Sequence, residues 1–78
     1  MSVLRQTRIE YLEGKVAKEE QRFKTSEDLV ETLLQSGKLT EVLWVDAMQE
    51  QRTLRRSIQK YKRMLYEWLR DPTRGADI

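Results

Sequence analysis

The sequence predicts an all-α protein, a helical hairpin with a short corner helix, and three observations predict it. The first is an apolar repeat. Trp44, Ala47, Gln51, Leu54, Ile58, Tyr61, Leu65 and Trp68 follow each other at alternating steps of three and four. That average of about 3.5 residues marks a coiled-coil seam. The second is composition, 38% hydrophobic and 36% charged with three Gly and one Pro, which suits helices with wet outer faces better than strands. The third is punctuation: capping residues and a glycine divide the chain into helices at about 2–24, 26–36 and 41–70.

In the first element Ser2 is the expected N-cap. Ile9, Leu12, Val16, Glu19 and Phe23 step at the same average spacing, with Leu4 and Tyr11 widening the stripe. Glu19 puts a charge in that seam; its expected place is the edge, the alternative being contact with an arginine of another helix. Gly14 sits inside the helix at a cost of about 1 kcal/mol relative to Ala. The expectation is a surface glycine rather than a close backbone crossing. Glu20 and Lys24 have the spacing of a favourable ion pair on one helix face.

Thr25-Ser26-Glu27-Asp28 reads as a restart, with a hydroxyl cap followed by acids that complement the helix dipole. Leu29, Val30, Leu33 and Leu34 then give a short amphipathic corner helix, closed by Gly37. So short a helix must pack on something to persist. In the third element Thr40 is the cap, and Leu39 with Trp44 has the spacing of a hydrophobic staple. The helix from Glu41 to Arg70 has a length of about 45 Å at 1.5 Å per residue. Asp71-Pro72 ends it, because a residue before proline avoids helical geometry. Residues 1–71 are thus expected to form one helical domain and 72–78 a frayed tail.

A chain of 78 residues buries only about 60% of its unfolded surface, so it needs help to be stable. With no Cys and no His, disulfides are excluded and structural zinc lacks its usual ligands. Self-association is the aid that remains. Between Leu39 and Met48 the apolar residues surround the helix, and a helix apolar all round is usually buried all round. Helix one and the corner helix cover two sides; a third, Val45 with Met48 or else Val42, is left for a second chain. Two hairpins are therefore expected to pair by two-fold symmetry into a four-helix-type or coiled-coil bundle, a homo-oligomer with the dimer favoured.

Charge is unevenly spread. Residues 1–25 carry six basic and four acidic side chains, residues 26–50 one and six, and residues 51–70 seven and one. No apolar run approaches the ~20 residues of a membrane span, and Met1 to Glu10 lacks the apolar core of a signal peptide. The expected location is the cytoplasm, of the producing cell or of a host, with no membrane partner.

Without His or Cys the commonest general base, thiol nucleophile and transition-metal ligands are missing. Glu27 and Glu31 share a helix face that could hold Mg²⁺, but capping explains them better. No phosphate loop and no nucleophile elbow is present. The expectation is a protein that is not an enzyme and takes no cofactor or metal. Two surfaces stand out. Val45, Met48, Met64, Tyr66, Trp68 and Leu69 are the candidate protein interface, of a composition enriched at such sites. Arg52, Arg55, Arg56, Lys60, Arg63 and Arg70 form a candidate basic face, rich in the bidentate cation. The expected function is a self-associating adaptor or inhibitor that docks on a larger protein through its long helix. The alternatives are a nucleic-acid-binding regulator using the basic face, or a structural assembly oligomer such as a scaffolding protein.

Overall fold

Each of the two long apolar repeats needs a dry neighbour, and each finds it in the other. The computed structural model describes residues 3–70, with α1 at Val3–Gln35 and α2 at Glu41–Arg70. The chain reverses between them, so α1 and α2 lie antiparallel in a hairpin 56 Å long and 15 Å across. The all-α hairpin expected from the sequence is present, and α2 has the expected bounds. Ser2 and the 72–78 tail lie outside the described residues.

One correction concerns α1. The corner helix at 26–36 does not exist as a separate element, since α1 runs unbroken through the supposed restart. The hydroxyls there do other work. Thr25 Oγ1 donates to the Gln21 carbonyl one turn back, at 2.9 Å, a bond that leaves the helix intact. Ser26 is buried, and its Oγ accepts a hydrogen bond from Gln51 Nε2 of α2 at 3.2 Å. No Gly or Pro stands at residues 23–30 to force a break, and the seam keeps its phase through Phe23, Ser26, Val30 and Leu33. Glu27 and Asp28 become exposed acids in mid-helix.

The turn follows the expected chemistry. Gly37 has φ +72°, the left-handed conformation that favours glycine. The Lys38 amide bonds the Leu33 carbonyl at 2.9 Å and the Gly37 amide bonds that of Leu34 at 3.2 Å, the pair of bonds that defines a Schellman cap. Thr40 caps α2, its Oγ1 accepting from the Leu43 amide at 3.2 Å, and Glu41 places an acid in the first turn.

The core is a single row. Ile9, Leu12 and Val16 of α1 and Leu54 of α2 are its buried apolar members, and Leu12 is fully buried. Ile58, Tyr61, Leu65 and Trp68 continue the row as half-buried residues. Polar layers interrupt it. Besides Ser26 and Gln51, Glu19 turns inward and accepts from Ser57 Oγ at 3.2 Å, its other carboxylate oxygen buried without a partner among the described residues. It meets a serine, and so neither snorkels free nor pairs with arginine. Polar groups at seam positions fix register at some cost in stability, and here they align Ser26 with Gln51 and Glu19 with Ser57. Glu20 bonds across to Lys62 at 3.0 Å, not to Lys24 on its own helix. At the open end Arg5 Nη2 donates to the Trp68 carbonyl at 3.0 Å and more weakly to that of Leu69 at 3.5 Å. A cation is thereby set on the negative end of α2.

Leu4 and Tyr11, expected to widen the α1 stripe, are 46% and 53% exposed. Both lie off the seam, and a single neighbouring helix is too narrow to reach them. Gly14 is exposed, and a Cβ there would meet nothing within 4 Å, so it is a surface glycine.

Candidate interaction surface

Two helices can shelter one row of side chains between them, and apolar residues outside that row are exposed or only half-buried. Among the described residues the consequence is sharpest at the loop end. Leu29 is 57% exposed, Leu34 64%, Val42 69%, Leu43 44% and Trp44 47%. Trp44 is not sealed in the core. Its position is a seam position, but it lies in the first turn after the cap, where the end of α1 shields only half an indole.

The predicted interface residues separate into two groups. Val45, 38% exposed, and half-buried Met48 line a groove of about 410 Å³ with Trp44, Gln51, Arg52 and Arg55. At the other end of α2, Tyr66 is 63% exposed and Leu69 53%, while Met64 and Trp68 are half-buried. About 30 Å of helix, at 1.5 Å per residue, separates the groups. Sequence reasoning missed Leu29 and Leu34 as surface residues by placing them in a corner helix. The signal was available, because both fall out of phase with the row through Val30 and Leu33.

Between the two apolar groups lie Arg52, Arg55, Arg56, Lys60 and Arg63, with Arg70 just beyond the second, and all six are exposed. Some cations are already engaged: the Arg55 guanidinium lies 5.5 Å from the centre of the Phe23 ring and that of Arg70 lies 5.7 Å from that of Tyr66. Such exposed contacts are worth about 0.5–1 kcal/mol each. Arg52, Arg56, Lys60 and Arg63 form no ion pair among the described residues. Arg56, Lys60 and Arg63 share a shallow depression with Gln59, Met64 and Glu67.

A second groove, of about 550 Å³, runs between the helices at mid-length. Half-buried Phe23 and Ile58 supply its apolar lining, while Glu20, Glu27, Arg55 and Lys62 are among its charged walls. Among the described residues no cluster of three or more acidic groups could hold a metal ion, and no helix is long and apolar enough to cross a membrane. No family model matches the chain, and no significant match was found to a curated protein or to a solved structure.

Proposed function

We propose that this chain is a non-enzymatic, self-associating interaction module, a small cytoplasmic adaptor or inhibitor that docks on a larger protein through α2. One observation carries the reading. Among the described residues ten large apolar side chains are markedly exposed, against four in the buried core. Contiguous exposed apolar surface marks sites of association, and a small domain without disulfide or metal gains most from burying it. Val42, Leu43, Trp44 and Val45 occupy four successive positions of α2 and would present a broad apolar collar to a partner.

Sedimentation velocity over a range of protein concentrations tests self-association. The expected result is a sedimentation coefficient that rises with concentration towards a dimer. A single monomeric species throughout would overturn the reading.

The set Arg52, Arg56, Lys60 and Arg63, which forms no ion pair among the described residues, favours a second reading, nucleic-acid binding. Affinity should then fall steeply as salt rises, and Arg56→Ala with Arg63→Ala should flatten that dependence. Anisotropy titrations with labelled single and double strands at about 50 mM salt decide it, since phosphate contacts are strong under that condition. Absence of binding there removes it.

A further inference from the structure

The hairpin carries a charge pattern that selects how two copies fit together. On α1, Glu10, Glu13, Glu20, Glu27 and Glu31 follow one another at helical spacing along one flank, with Lys24 as the one cation among them. On α2, Arg52, Arg55 and Lys62 form the matching flank, between Val45 and Met48 at one end and Tyr66 and Leu69 at the other. The Glu20–Lys62 ion pair and the Arg55–Phe23 contact show that the two flanks border the same face of the rod. The groove with Phe23 and Ile58 lies on that face.

We infer that this face binds a second copy of the chain, related by a two-fold axis parallel to the rod. The inference rests on the self-association proposed above. With the two rods aligned, only two arrangements stack the face on itself with two-fold symmetry. An axis perpendicular to the rod sets α1 on the partner's α1, glutamates on glutamates, and α2 on the partner's α2, arginines on arginines. Like charges brought together across an interface oppose association. An axis parallel to the rod sets α1 on the partner's α2, so the acidic flank of each copy meets the basic flank of the other. Both loops then lie at the same end, where Leu34, Val45 and Met48 of the two copies meet. Phe23 and Ile58 of both copies close the middle. A face 56 Å by 15 Å matches the roughly 800 Å² per partner of a standard interface. The opposite face has a groove too, but its one large apolar lining residue is Leu54, already buried. Val42 and Leu43 stay outside the dimer.

Two measurements test the arrangement on the full chain. The sequence has no Cys, so Lys38→Cys gives a single spin-label site in the loop. The parallel axis predicts a label separation on the order of 20 Å, from interaxial distances of roughly 8–10 Å plus two label arms. A separation near the 56 Å rod length would overturn this axis while leaving self-association standing. A monomer by sedimentation would overturn both. The second measurement uses Ala17, which is exposed among the glutamates of the α1 flank. Ala17→Lys should weaken the dimer about tenfold or more by meeting the partner's cations, and Ala17→Glu should not. The reverse order would show α1 lying on α1. Equal dissociation constants for both variants would show that this face is not the interface.

Discussion

Leu12 and Leu34 are the same side chain on the same helix, yet Leu12 is fully buried and Leu34 is 64% exposed. The difference is phase. Leu12 falls on the row that faces α2; Leu34 lies one position beyond the row member Leu33. In a hairpin with a single partner helix, one residue of displacement moves a leucine from core to solvent. Hydrophobicity alone does not decide burial here, because the loop end is as apolar as the middle. What the loop end lacks is a third neighbour.

The largest expected effect breaks that comparison directly. Leu12→Ala should cost about 2–5 kcal/mol through lost burial and a cavity, while Leu34→Ala should stay within about 0.5 kcal/mol in the monomer. Urea denaturation of dilute protein reads both. Similar losses for the two would mean that phase does not govern burial in this molecule. A smaller effect concerns the polar layer of the buried row. Ser26→Ala removes the acceptor for Gln51 Nε2 and should cost about 1–3 kcal/mol. Adding Gln51→Leu should restore most of that stability, because no buried polar group is then left unpaired. If the double variant is no better than the single, the layer owes its cost to packing instead. The smallest effects come from two glycines with opposite expected signs. Gly37→Ala should destabilise by about 1 kcal/mol, since its φ of +72° strains any side chain. Gly14→Ala, in open space on a helix, should stabilise by about 0.5–1 kcal/mol. Thermal melts followed by circular dichroism give both signs.

The helical class, the course of α2, the Thr40 cap and the Gly37 reversal were all legible, because each rests on local chemistry that a short stretch of residues specifies. The unity of α1 was not read. Thr25 and Ser26 have capping chemistry, and local propensity alone cannot tell a cap from a hydroxyl bonded back to Gln21 or across to Gln51. The clue was longer in range: Ser26, Val30 and Leu33 extend the phase of Ile9 through Phe23 without a slip, and a true restart has no reason to preserve it. Tyr61, Leu65 and Trp68 lie beside the opening turns of α1, where Lys15 and Arg5 meet Tyr61 and Trp68, and they are half-buried. Exposure therefore concentrates along the flanks and at the loop. The candidate surface was legible in its residue types but not in its division, because Val45 with Met48 and Tyr66 with Leu69 belong to opposite ends of one helix.

Arg5 closes the end of the rod opposite the loop. One guanidinium holds the carbonyls of Trp68 and Leu69, so the opening turn of α1 and the closing turn of α2 share a clasp. Arg5→Ala should open that clasp and let the closing turn of α2 fray, so that its amide protons exchange faster with solvent, although more than sixty residues of chain separate Arg5 from that turn.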